Sequence, residues 1–232
     1  MKVAIVSLVW KRPEVFEMFA KGVKHLIANS KNEYVIIIAG SEGETSRQMV
    51  EKHGFIYTEM PNEPLSEKAN KPVLIAKEHN VDYVLAVGSD DVISPGLMEA
   101  YDKRMKKAID YIAVLDFYFY DLKSGRSSYW GGYLEDYRKG CACGAGRLMS
   151  KKLMDAWGWQ PWEVKHSRVL DNSIQEKLKT TPHTSDIFSI KEHGLYALDI
   201  KSATNMTPFA QWDNTHLIDS QIIKKEFHYI FD

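Results

Sequence analysis

The chain has 232 residues, and its 30 basic and 31 acidic side chains leave a formal charge of −1. It is long enough for a substantial core, and no global positive field draws in nucleic acid. Two cysteines one residue apart, Cys141 and Cys143, are badly spaced for a mutual disulfide and too few for a zinc site, which points to reduced thiols in a cytoplasmic protein. Met1 to Val9 is too short for a signal sequence, and no apolar run matches a bilayer, so no transmembrane segment is expected.

The first half alternates strand and helix signals. Val3 to Val9 is a continuous apolar strand, and Pro13 suits the first turn of a helix reaching about Ala28. Tyr34 to Ala39 is a second buried strand, followed by a helix over Thr45 to His53 that Gly54 stops. Phe55 to Thr58 is a brief third strand, and Ser66 to His79 a helix with Pro72 as a possible irregularity. A fourth strand runs from Tyr83 to Ser89. This order predicts an α/β fold with a mostly parallel central sheet covered by helices on both faces.

From Tyr111 the pattern changes. Ile112 to Asp121 is aromatic and β-rich, Lys123 to Arg126 is a turn, and Ser127 to Tyr133 reads as the return strand. A Gly-rich passage from Gly140 to Arg147 leads to a strand at Leu148-Met149. Helices are expected over Lys151 to Trp157 and Val169 to Lys179, weak strands over Ile187 to Ile190 and Leu195 to Ile200, and a last helix over His216 to Glu226. No repeat or low-complexity linker separates the parts. The expected boundary is functional: a nucleotide-binding half over 1–94 and an acceptor-side, closing half over 95–232.

The chemistry concentrates at the ends of the early strands. Strand four stops at Gly88-Ser89-Asp90-Asp91, and Pro95 then opens a helix. Ends of this kind face the crevice where open α/β sheets hold ligands. Adjacent carboxylates repel unless a cation or hydrogen-bond donors offset the charge. A divalent metal carrying a substrate diphosphate on Asp90 and Asp91 is the simplest such cation; a solvated turn capping the next helix is the plain alternative. Strand one ends at Ser7, with Arg12 at a helix N-terminus where phosphate would also meet free backbone donors. Lys68 can pair with a phosphate and Asn70 with a base or ribose edge, though both are also common on exposed helices. No dinucleotide fingerprint or P-loop spacing occurs. Trp130, Gly131, Gly132, Tyr133 and Trp162 can frame an aromatic mouth; for Trp157 and Trp159, core packing is the expected fate.

Taken in order, Ser7 to Glu14, Ala39 to Ser46, Pro61 to Asn70 and Gly88 to Pro95 resemble the loops of family-2-like glycosyltransferases of the GT-A fold. Gly144 to Ser150 and Leu170-Asp171-Asn172 resemble that family's acceptor-side strand and acidic helix start, so the resemblance spans roughly 3–180. It implies a GT-A-type, Rossmann-like sheet with a smaller mixed acceptor-side sheet. It also implies sugar transfer from a nucleotide-diphosphate donor, assisted by Mn²⁺ or Mg²⁺. Asp90 then matches the last Asp of the D-x-D motif and the metal ligand, with Asp91 beside it. Ser7, Arg12, Lys68, Asn70, Ser89 and Asp90 line the nucleotide-sugar site, while Trp130, Gly131 and Arg147 lie on the acceptor side. Asp171 matches the catalytic base of inverting members, and His193 or His216 is a candidate late metal ligand.

The chain departs from the pattern twice. Gly88 stands where the first motif Asp is usual, and Ala39-Gly40 stand where many members read the base with an acid. Two alternatives therefore stay beside transfer: a nucleotidyltransferase on a similar sheet, and a catalytically silent module binding a glycan or nucleic acid. The acceptor is open among a glycan, a protein side chain and a hydroxylated nucleobase.

Overall fold

The computed structural model describes residues 1–163, 170–205, 209 and 215–232, with the side chains of Leu170 and Asp171 outside the description. Its first half follows the alternation in the sequence: β1 (Lys2–Leu8), α1 (Pro13–Ala28), β2 (Glu33–Gly40), α2 (Glu44–Glu51), β3 (Ile56–Glu59), α3 (Leu65–Glu78) and β4 (Tyr83–Ala86). The chain continues through β5 (Asp91–Ile93), α4 (Pro95–Met105), β6 (Tyr111–Val114), β7 (Phe117–Asp121), β8 (Ser127–Trp130), β9 (Arg147–Ser150) and α5 (Lys151–Ala156). It closes with α6 (Leu170–Thr180), β10 (Ser185–Phe188), β11 (Ala197–Lys201), β12 (Thr215–Ile218), α7 (Ser220–Glu226) and α8 (His228–Phe231).

Two sheets share these strands. The larger has the order β10-β6-β9-β4-β1-β2-β3, parallel except for β9; the smaller is mixed, with the order β12-β8-β7-β11-β5. The central strands β1, β2 and β4 are apolar over most of their length because both faces of the sheet are covered there. Val3 and Ile5 of β1 pack into the core beneath α1 and α4, whereas Ala4 and Val6 join Val73 and Leu153 from α3 and α5 on the other face. Leu85 and Val84 of β4 divide in the same way, as successive strand residues must.

Three expectations need correction. The β-rich stretch Ile112 to Asp121 is two strands in different sheets, because the chain changes sheet at Leu115-Asp116. Asp116 pins that crossing: its buried carboxylate accepts hydrogen bonds from Tyr129 Oη (2.7 Å), Ser189 Oγ (2.6 Å) and Ile190 N (2.7 Å). The expected last helix starts at Ser220; His216 instead lies in β12, paired antiparallel with β8. The fourth strand ends at Ala86, and Asp91 already belongs to β5.

Trp157 and Trp159 are core residues as expected, their indole N–H groups donating to Thr181 Oγ1 and Asp155 Oδ1, both at 2.9 Å. Both cysteines are free thiols. No helix among the described residues is long and apolar enough to cross a membrane.

Candidate functional site

A cavity of about 560 Å³ opens where β1 and β4 end and the chain passes from the large sheet to the small one. Its lining includes Ser7, Arg12, Lys68, Ser89, Asp90 and Asp91 from the strand ends and the helix starts beside them, and the aromatic side chains of Phe117, Phe119, Trp130 and Tyr133 from β7, β8 and the residues after β8. Trp10, 43% exposed, stands at the mouth. The structure thus brings together most of the residues marked in the sequence.

The carboxylate pair sits at the joint between sheets. Asp91 N donates to Gly88 O at 3.0 Å, closing a tight turn that Asp90 occupies, and Asp91 begins β5. The helix-capping alternative for the pair is displaced. Ser94 caps α4, its Oγ accepting from Leu97 N at 3.2 Å, with Pro95 at the first helical position. Asp91 is buried and its Oδ2 accepts from Gly88 N at 2.8 Å. Burial, then the charges of Asp90 and Asp199, push its carboxyl well above the usual range.

Asp90 has different company. Arg12 Nη1 lies 2.7 Å from its Oδ2, and Asn205 Nδ2 donates to the same oxygen at 2.7 Å. Arg12 is free for this contact because it is the N-cap residue of α1 and makes no side-chain cap of its own. Protein donors offset part of the repulsion anticipated for adjacent carboxylates, a guanidinium and an amide on Asp90 and a backbone N–H on Asp91, and what remains adds to burial in raising the Asp91 carboxyl.

Gly88 explains one departure from the family pattern. A Cβ built there would lie 2.5 Å from Asp91 Oδ2 and 2.6 Å from Asp90 Oδ1. The two remaining carboxylates fold back over the place where a first acid would stand. Gly40 is similarly walled in, with a Cβ meeting Ser46 Cβ at 2.6 Å and the Tyr57 ring at 2.7 Å. An acid does approach that region from Glu42, whose Oε2 accepts from Lys11 N at 2.8 Å and whose charge bears on Lys68.

Lys68 is buried in the first turns of α3. Its Nζ donates to Val9 O at 2.8 Å and Asn62 Oδ1 at 3.1 Å. Burial pulls its ammonium down to about 8, with Glu42 working against the shift and Arg12 reinforcing it. Ser7 Oγ is buried against the same cavity and finds no hydrogen-bond partner among the described residues. A buried hydroxyl without a partner is costly unless a ligand or water completes it.

Other marked residues lie elsewhere. Asn70 faces Trp162: its Nδ2 donates to Trp162 O at 2.7 Å and its Oδ1 accepts from Trp162 N at 3.1 Å. Its amide is spent on holding that loop, and Trp162, not Asn70, lines the cavity. Arg147 is buried in β9 and Gly131 is exposed; neither lines the cavity. His193 bonds Ser189 O through Nδ1 at 2.8 Å and His216 lies on β12, both outside the cavity wall. Asp171 stands in the first turn of α6, and its side chain lies outside the described residues.

Sequence reasoning missed Asp199, which reaches the cavity from β11 opposite Asp91. Burial raises its carboxyl to about 6, partly countered by Lys201, which donates to Asp199 Oδ2. An acid and a base two residues apart in the apolar strand Ala-Leu-Asp-Ile-Lys was the available signal, since such residues share one strand face.

These residues do not supply the metal set that the resemblance implies. The Oδ2 of Asp90 already carries Arg12 and Asn205, and Asp91 is buried on Gly88 N. Among the described residues, no three His, Cys, Asp or Glu side chains are grouped to hold an ion. An ion held by one carboxylate and phosphate oxygens would have to share Asp90 with Arg12 and Asn205, both of which bond its Oδ2.

No family model matches the chain, and no curated protein matches it by sequence. Solved structures do. The S. aureus TarS 1–349 structure aligns with a TM-score of 0.62 at 13% identity, covering 86% of this chain and 60% of that one. TarS 1–349 in complex with UDP gives 0.61 at 14% identity, covering 87% and 61%. The longer S. aureus TarS chain gives 0.63 at 13%, covering 87% of this chain and 37% of its own length. The chain thus spans about three fifths of the TarS 1–349 structures. TarS is a glycosyltransferase, and what this chain shares with it is the fold: a mostly parallel sheet flanked by helices with a second, smaller mixed sheet, of GT-A type at this coarse level.

Proposed function

We propose that this chain is a glycosyltransferase that moves a sugar from a nucleoside-diphosphate donor to an acceptor hydroxyl. One observation carries the reading. A single cavity joins a phosphate-ready end, built from Ser7, Arg12 and Lys68 at the carboxyl ends of parallel strands, to an aromatic wall of Phe119, Trp130 and Tyr133. The first end suits a diphosphate and the second suits the face of a sugar or another ring. The UDP complex of a fold neighbour makes uridine diphosphate the first nucleotide to try. Residues 1–94 then form the donor half and 95–232 the acceptor half, the acceptor being a glycan, a protein side chain or a hydroxylated nucleobase.

The chemical step is a displacement at the anomeric carbon. The acceptor oxygen forms the new bond while the bond to the diphosphate oxygen breaks, and the electron pair leaves on that oxygen. Arg12 and Lys68 offset the negative charge gathering there. We assign Asp171 as the general base that takes the acceptor's proton, on its match to the family's base and its place at the start of α6. One displacement with one base inverts the anomeric configuration.

Thermal shift with nucleotide sugars, followed by transfer assays on the donor that binds, tests this. A bound donor raises the melting temperature with concentration. Asp171→Asn should then abolish transfer by at least about 100-fold, the usual scale of general-base loss, while donor binding persists. No shift with any nucleotide sugar refutes the donor reading, and full turnover by a folded Asp171→Asn protein refutes the base.

A further inference from the structure

We propose that the site neutralises the donor's diphosphate with Arg12 and Lys68 and does not use a divalent ion for that purpose, Asp90 serving to position Arg12. This deepens the donor reading above and rests on it.

The argument starts from where the cations already are. Arg12 Nη1 is held 2.7 Å from Asp90 Oδ2, with the two side chains only 16% and 20% exposed, so solvent and salt screen the pair weakly. The second nitrogen of the guanidinium, Nη2, reaches Thr204 O at 3.5 Å. A guanidinium offers five N–H donors in a rigid fork, so these contacts fix its plane and leave donors for phosphate oxygens. Lys68 is built alike. Two of its three donors go to Val9 O and Asn62 Oδ1, anchoring the ammonium at the cavity wall with one donor in hand. Both cations are therefore oriented before any ligand arrives, which spares the entropy of ordering long side chains on binding.

The carboxylates are arranged to match. Asp90 receives Arg12 and Asn205 on one oxygen, and Ile200 N donates to its backbone oxygen at 2.7 Å, fastening the joint to β11. Asp199 is paired with Lys201. The space an additional acidic ligand would need at position 88 is taken by the carboxylates of Asp90 and Asp91 themselves. Asp90 and Asp199 thus each have a protein cation beside them, Arg12 and Lys201, while Asp199 Oδ1 is buried with no hydrogen-bond partner among the described residues.

Titration calorimetry with UDP, GDP, CDP, ADP and dTDP, each in chelator and in Mn²⁺ or Mg²⁺, tests the proposal on the wild-type chain, Arg12→Ala and Asp90→Asn. The expected result is that one diphosphate binds the wild type equally well in chelator and in metal. Arg12→Ala should weaken that binding by at least about tenfold, the loss of one charge-assisted contact. Asp90→Asn should retain it, because an amide still accepts from Arg12 and one negative charge is gone. Binding that requires Mn²⁺ or Mg²⁺, or its loss in Asp90→Asn while the melting curve stays cooperative and unshifted, overturns the proposal and leaves the donor reading standing. Binding of none of the five in either buffer overturns the donor reading and this proposal with it.

Discussion

Gly88 offers the sharpest check on the joint between the sheets. Placing a Cβ there brings it to 2.5 Å from Asp91 Oδ2 and 2.6 Å from Asp90 Oδ1. Unstrained contacts lie roughly 1 Å further out, so both carboxyl groups must retreat in Gly88→Ala. Neither has an easy retreat. Asp91 is buried, bonded to Gly88 N, and begins a strand paired with β11; Asp90 is held by Arg12 and Asn205. Crowding of this kind costs about 1–3 kcal/mol, and at this chain length each kcal/mol lowers Tm by roughly 2–4 °C. Gly88→Asp introduces the acid usual at this place in the family whose loops the sequence resembles, yet adds a third carboxylate to two that are already crowded, so it should be less stable than Gly88→Ala and bind no diphosphate better than wild type. Urea melts give the stabilities, with an unchanged m-value required for the comparison. An Ala variant as stable as wild type, or an Asp variant with improved diphosphate affinity, would refute this account of the joint.

Two further outcomes separate ligand contacts from scaffolding. Asn70→Ala strands both backbone groups of Trp162, a loss of about 1–3 kcal/mol per unsatisfied group; a variant of wild-type stability that no longer binds nucleotide would instead restore Asn70 to the base or ribose edge. Lys68 titrates at about 8, below its ordinary value, because burial disfavours its charge. Between those two values the unfolded chain holds more protons, so this group's contribution to stability rises with pH across that window. The hold on phosphate proposed for Lys68 moves the other way: diphosphate affinity should fall as pH climbs through about 8, and Lys68→Gln should flatten that limb. Calorimetry on both sides of that value decides it, and a flat wild-type profile would remove Lys68 from the phosphate site.

How much of this was legible in the sequence follows from where each residue's environment comes from. Strands of the large sheet are buried on both faces, so β1, β2 and β4 appear as unbroken apolar runs, and the Pro13–Ala28 helix carries its own start signal in Pro13. The second half hides its turns. Residues on either side of Leu115-Asp116 are almost all apolar or aromatic, so no break in hydrophobic character says that β6 and β7 enter different sheets; the reason is Asp116, whose partners arrive from Tyr129 and Ser189. Likewise β12 exposes His216 and Leu217 and carries no clear alternation, leaving its pairing with β8 unreadable in advance.

The site divides along the same line. Ser7, Arg12, Lys68 and Asp90 were legible because the carboxyl ends of parallel strands and the helix starts beside them converge in any sheet of this kind. Asp199 and Asn205 were not, because they reach Asp90 and Asp91 from more than a hundred residues further along the chain. That distant contribution changes the meaning of the local motif. Read alone, Gly88-Ser89-Asp90-Asp91 is an acidic motif missing its first member. In the folded chain the missing side chain and the Arg12–Asp90 pair are parts of one arrangement: with only hydrogen at position 88, Asp90 and Asp91 can fold inward, and Asp90 then meets Arg12 and Asn205 at 2.7 Å each. A carboxylate at position 88 would compete for the same space and push Asp90 off its guanidinium. The substitution at Gly88 and the placement of a protein cation beside Asp90 therefore stand or fall together, which is why variants at Gly88, Asp90 and Arg12 are informative as a set.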